Sequence, residues 1–232
     1  MRLVILLLAA AQVFRLDIVD ARGKKPSGVA VEVGGAASDN WRILHITRAK
    51  KDSVIVWPFD ALAAEPDGSG AVQVVVIERG DPKALANPGI AAEIATGVVL
   101  GRESLEDAAK RTGFDAAALK SAFTSLANAT DEYAGGVGLL WTNQPARAAD
   151  LLARALRERE RQLTRIPSDI FPAAMLDAKA LFDSGKYDDA AAVYLKATKL
   201  RPSDPAVRKT RAEALIKAGK EDAARELLEP QK

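Results

Sequence analysis

Cysteine is absent from the chain. That excludes disulfides, thiolate metal sites, a cysteine nucleophile and a lipidated N-terminal cysteine. Histidine occurs once, as His45, too few for a His-based zinc site or a histidine triad within one chain. His45 lies in a strand-like run beside Ile43 and Ile46, where a lone histidine reads as a packing or surface residue rather than a base. The charges nearly cancel, to a net of +2, which argues against nucleic acid or acidic lipid as a bulk electrostatic partner. Aromatics make up only 5% of the residues, so Trp41 and Trp57 read as anchors of an apolar core. The edge Trp57-Pro58-Phe59 ends a strand, where an exposed binding platform is the alternative.

Recognisable chemistry is missing as well. No G-x-x-x-x-G-K-[ST] loop occurs, and "GKKPSG" (23–28) fits a hairpin turn. "GGVGLL" (135–140) contains a G-x-G but sits inside a helical pattern rather than after a strand. No serine stands in a G-x-S-x-G elbow. Asp188 and Asp189 open a helix, where carboxylates favour the dipole without any catalytic role. These absences predict a non-enzymatic chain with no catalytic residue, cofactor or metal site.

What the chain does have is self-similarity. Ala178, Leu181, Gly185 and Ala190 recur 34 positions later as Ala212, Leu215, Gly219 and Ala224, and Tyr194 recurs as Leu228. Small residues stand where two helices approach closely, and Gly185 and Gly219 stand where a first helix must end left-handed. A weaker copy lies 42 positions upstream, in Gly136, Leu139, Asn143, Ala148, Leu152 and Ala155. The extra eight residues predict a second helix about two turns longer in that unit.

"ALFDSGKYDDAAAVYLKATKLRPSD" resembles a tetratricopeptide repeat (TPR), through Ala178, Leu181, Gly185, Tyr187, Ala190, Tyr194, Ala197 and Pro202. The resemblance covers Thr130–Glu229. It implies stacked helical pairs that bind a peptide or partner protein in a concave groove. It places groove sites at Tyr133, Val137 and Leu140 in the first unit, Met175, Lys179, Phe182 and Asp183 in the second, and Lys209, Glu213 and Ile216 in the third. Apolar and charged sites alternate there, which suits an amphipathic or mixed-charge ligand. The family's clamp for acidic C-terminal tails pairs Lys and Arg with asparagines that do not stand at the corresponding places here.

Upstream of these helices the texture is β-rich. "FRLDIVD", "GVAVEV", "WRILHIT", "SVIVWPF" and "AVQVVVI" are short runs separated by Gly, Pro, Asp and Ser, and predict a small antiparallel sandwich. "FRLDIVDARGKKPSGVAVEV" resembles the opening hairpin of transthyretin-like and carboxypeptidase-regulatory β-sandwiches. Between them, "SLEDAAKRTGFDAAALKSAF" predicts two helices split at Gly113, with Ser104 as N-cap. The segment resembles the helix-turn-helix of AraC-type regulators. Its second helix offers alanines and a single Lys120 where base readout needs Arg, Asn or Gln.

Arg2 precedes nine apolar residues, Leu3 to Ala11, and Ala9-Ala10-Ala11 suits a signal peptidase cutting before Gln12. The run is too short to span a bilayer as a helix; a buried first strand or a misplaced start codon is the alternative. Together these features predict an α+β multidomain chain. A signal peptide (1–11) precedes a β-sandwich (12–80) and a helical linker (81–128). Repeats follow over 129–232, in units of about 129–169, 170–204 and 205–229. Gly80, Pro82 and Pro88 mark a boundary that few contacts should cross. The expected role is an exported interaction scaffold, periplasmic or secreted, with a protein partner, no nucleic acid and no transmembrane span. A DNA-binding regulator using 104–123, or a regulatory subunit of an envelope hydrolase, are the rival readings.

Overall fold

The computed structural model describes residues 16–38, 41–49, 51–58, 61–63, 72–161 and 167–228. The signal-peptide stretch 1–11, Phe59 and the Trp41 side chain lie outside them.

Among the described residues, six strands precede ten α-helices. The strands are β1 (Leu16–Val19), β2 (Ala30–Ser38), β3 (Trp41–Arg48), β4 (Ser53–Trp57), β5 (Ala61–Ala63) and β6 (Val72–Glu78). They form two three-stranded sheets, ordered β1-β6-β4 and β2-β3-β5. All five strand-like runs form strands; β5 is an addition. Pairing is not wholly antiparallel, however: β1 runs parallel to β6, with Leu16 opposite Val72 and Val19 opposite Val75.

β6 explains how the sheets sit. Val72, Val74 and Val76 are buried in a small cluster with Val31 and Leu44 of the other sheet. Its opposite face carries Ile77, which joins Val56 of β4 in the large helical core. A strand covered on both faces reads as a near-continuous apolar run, as "VQVVVI" does. The boundary expected near residue 80 is therefore a turn and not a gap in the core. Burial of Val56 and Ile77 against the helices contributes roughly 1.5–3 kcal/mol each.

Four helices follow: α1 (Pro82–Leu85), α2 (Pro88–Val99), α3 (Leu105–Thr112) and α4 (Ala116–Ser125). Asn87 caps α2 by accepting from Gly89 and Ile90, and its side-chain amide donates to the Ala21 carbonyl, tying helix to sheet. Ser104 caps α3 by accepting from the Asp107 amide, and Gly113 ends α3 at φ 75°.

Three antiparallel pairs complete the chain: α5 (Glu132–Trp141) with α6 (Pro145–Arg161), α7 (Pro167–Asp183) with α8 (Tyr187–Leu200), and α9 (Pro205–Lys217) with α10 (Glu221–Leu228). All three turn in the same way. Asn143, Gly185 and Gly219 have φ of 58°, 82° and 75°. The next amide reaches back to the first helix each time: Gln144 to Leu139 (2.8 Å), Lys186 to Leu181 (2.9 Å) and Lys220 to Leu215 (2.9 Å). This left-handed cap satisfies a carbonyl the helix end would orphan. Ala148, Ala190 and Ala224, at the corresponding place in each second helix, are at most 1% exposed.

The eight extra residues of the first unit are distributed differently from the expectation. α6 outlasts α8 by only three residues, and α7 begins four residues earlier than α9 does in its own unit. The longer start of α7 is held by Phe171, which is 1% exposed and has the guanidinium carbons of Arg201 and Arg102 at 3.9 and 5.1 Å from its ring centre.

Candidate functional site

The first helices of the pairs, α5, α7 and α9, carry the ten residues expected to face a groove. The structure divides them. Tyr133 and Val137 are closed off, 5% and 0% exposed, because α2 packs along α5. Thr96 donates to the Ala92 carbonyl (2.8 Å), so the Tyr133 hydroxyl, 2.9 Å away, donates to Thr96 Oγ1. The Arg159 guanidinium lies 3.9 Å over the Tyr133 ring, and burial pushes the phenol above its ordinary pKa. Leu140 is half-buried against the same core.

Met175, Lys179, Phe182, Asp183 and Glu213 do come together. They line a cavity of about 230 Å³ with Val99, Leu100 and Gly101 at the end of α2, Tyr194 of α8 and Thr210 of α9. Met175 is itself buried, Phe182 half-buried, and Phe182 meets Tyr187 edge-on at 5.3 Å. Lys209 and Ile216 lie on α9 outside this cavity, Ile216 being 48% exposed. Both lysines already have acids one turn away: Lys179 to Asp183 at 2.9 Å and Lys209 to Glu213 at 4.0 Å.

The sequence reading missed the α2 wall, because nothing in "PGIAAEIATGVV" says which face of another element it will cover. It also missed Tyr194 and Thr210. Tyr194, a signature position of the repeat, lines the cavity from α8, and burial raises the pKa of its phenol.

The glycines of "GGVGLL" have a packing role. A Cβ on Gly136 would collide with Leu152 of α6, and one on Gly138 with the backbone at Leu126–Ala127. They let α5 approach its neighbours, and no phosphate need be invoked. His45 is exposed on β3 opposite Glu32. Trp57 is half-buried at a second cavity of about 300 Å³, between the first sheet, α2 and Arg159 of α6. Trp141 packs edge-on against Phe123 at 5.3 Å. On α4, Ala117, Ala118, Lys120 and Ser121 are exposed, Lys120 being that helix's one cation; Lys110 at the end of α3 is exposed as well. No helix of the described residues is long and apolar enough to cross a membrane.

A family model described as tetratricopeptide repeat matches residues 181–231. The C-terminal part is a tetratricopeptide repeat region. The match takes in the end of α7, all of α8 and the α9–α10 pair; the α5–α6 pair shares their turn geometry upstream of it. No curated protein and no solved structure matches the chain.

Proposed function

We propose that the chain is a non-catalytic scaffold in the cell envelope, binding a peptide or partner protein on the concave face of its repeats. The observation that carries the reading is the cavity shared by α7, α9 and the end of α2, the part of the concave face where Met175, Lys179, Phe182 and Glu213 meet. Stacked helical repeats present extended concave surfaces suited to such partners. Its lining sets buried Met175 and Tyr194 and half-buried Val99, Leu100 and Phe182 beside the polar Lys179, Asp183, Thr210 and Glu213, an apolar patch with a polar rim such as a docked partner covers.

The strand-rich part is read as a small sandwich of the transthyretin-like or carboxypeptidase-regulatory kind. Support comes from the cluster that Val31 and Leu44 share with Val74 and Val76 across the two sheets; the opening segment itself is not a hairpin, because β1 pairs with β6 and β2 with β3 in separate sheets. Export rests on the apolar segment before Gln12.

Affinity capture from envelope extract, comparing parent and Thr210→Trp protein, tests the groove: a partner recovered equally by both would remove it as the binding surface. N-terminal sequencing of the mature chain tests export. A chain still beginning at Met1 would return it to the cytoplasm and reopen the regulator reading.

A further inference from the structure

One stretch of the concave face already has an occupant, and it belongs to this chain. α2 lies along α5, and its Ile90, Ala91, Ala92, Ile94 and Ala95 are buried among α5 and the elements packed around it, α4 and β4 included. The face therefore takes an aliphatic, small-residue helix. Past Leu100, which caps α2, the same face continues into the open cavity against α7 and α9. Its apolar surface comes from Val99, Leu100, Met175, Phe182 and Tyr194.

The rim charges cancel in pairs. Lys179 and Asp183, and likewise Lys209 and Glu213, are spaced i,i+4 on their own helices. The four charges sum to zero, so the mouth presents no excess of one sign to steer an acidic or a basic ligand. The cavity, about 230 Å³, falls below the ~300 Å³ at which small-molecule pockets begin, and suits a side chain better than a metabolite.

Building on the groove reading above, we propose that this cavity anchors one aliphatic side chain (leucine, isoleucine or methionine) of a partner peptide lying in line with α2. Apolar fit carries recognition, and Lys179 and Lys209 do not. The partner is thus a protein with a short exposed aliphatic motif, in contrast to an acidic tail.

The probe is a library of short random peptides displayed on phage, selected on the full chain. Selected peptides are then titrated by fluorescence anisotropy against the parent, Lys209→Glu, which lies on α9 outside the cavity, and Thr210→Trp. Leu100→Glu provides a second blocked groove from the opposite wall, and circular dichroism checks that each variant is folded. The expected peptides share one aliphatic position and no common charge. Their affinity changes less than about twofold between low salt and ~1 M salt, where screening leaves only ~3 Å of Coulomb reach. It is as little affected by Lys209→Glu, and falls at least about tenfold in the folded blocked variants, as loss of a buried anchor does. A shared acidic or basic motif, with binding lost at high salt, overturns this proposal and leaves the groove reading standing. Peptides that bind the blocked variants as tightly as the parent, or a selection that yields none, overturn both. Loss of amide-exchange protection in α2 on binding overturns the in-line arrangement, since the peptide would then have displaced α2.

Discussion

Replacing Asp177 with asparagine should make the protein more stable, by an amount that grows as pH rises from about 4 to about 6. Asp177 is 3% exposed on α7, with Arg157 and Glu160 of α6 and Lys196 of α8 as its charged neighbours. Lys196 bonds to Glu160 at 2.8 Å, bridging α8 to α6, and Asp177 Oδ1 has no hydrogen-bond partner among the described residues. Burial pushes its carboxyl from the ordinary 3.8 up to about 6; Lys196 and Arg157 pull back, and Glu160 adds to the rise. A raised acid binds its proton more tightly in the folded state than in the unfolded one. Its cost is therefore small below about pH 4, grows as pH rises through 6, and is constant above that. At 1.36 kcal/mol per unit, the full cost is about 3 kcal/mol, of which about 1 is already present at pH 4.5. The amide introduced by Asp177→Asn carries no charge at either pH, so the stability gap between variant and parent should widen by about 2 kcal/mol from pH 4.5 to pH 7.5. Urea titrations of both proteins at the two pH values measure that gap, and using its change cancels the packing difference between amide and acid. A gap that stays constant would refute the reasoning, because it would mean that the folded protein solvates or pairs this carboxylate as well as water does.

Three further outcomes follow from packing. Ala190→Leu should overpack the α7–α8 pair and cost roughly 1–3 kcal/mol; an unchanged melting temperature would mean that the repeat register is wrong. Gly138→Ala drives a methyl into the Leu126–Ala127 backbone and should cost about as much, roughly 1–3 kcal/mol, in a thermal melt. A truncated chain beginning at Asn87 should remain helical and melt cooperatively, but at a lower temperature than the full chain, having lost Val56 and Ile77 from its core. A melt with no transition would show that the repeats need the sheet.

Local rules with short reach were legible before any coordinates. Ala178, Ala190, Ala212 and Ala224 are spaced as helical pairs require, and each is buried. Gly185 and Gly219 announce a left-handed cap by being glycine, and Asn143 does so by being the side chain that best tolerates one. Ser104 is an N-cap because its hydroxyl can reach the Asp107 amide, a matter of three residues. All such features are settled by geometry within one or two turns of chain, so a single sequence suffices to determine them.

Which faces meet was decided only by the tertiary structure. Tyr133 and Val137 occupy groove positions by spacing, yet α2 covers them, and no property of α5 reveals that. The parallel pairing of β1 with β6 joins segments more than fifty residues apart, and the second buried face of β6 depends on helices that come later in the chain. The run "VQVVVI", apolar but for Gln73, is a local trace of that burial. Hydrophobic burial is non-directional: it tells a residue to leave water without naming the neighbour that will exclude it. The repeats and their caps could therefore be read from the sequence, whereas the occupied half of the groove and its open remainder could be located only once the chain was folded.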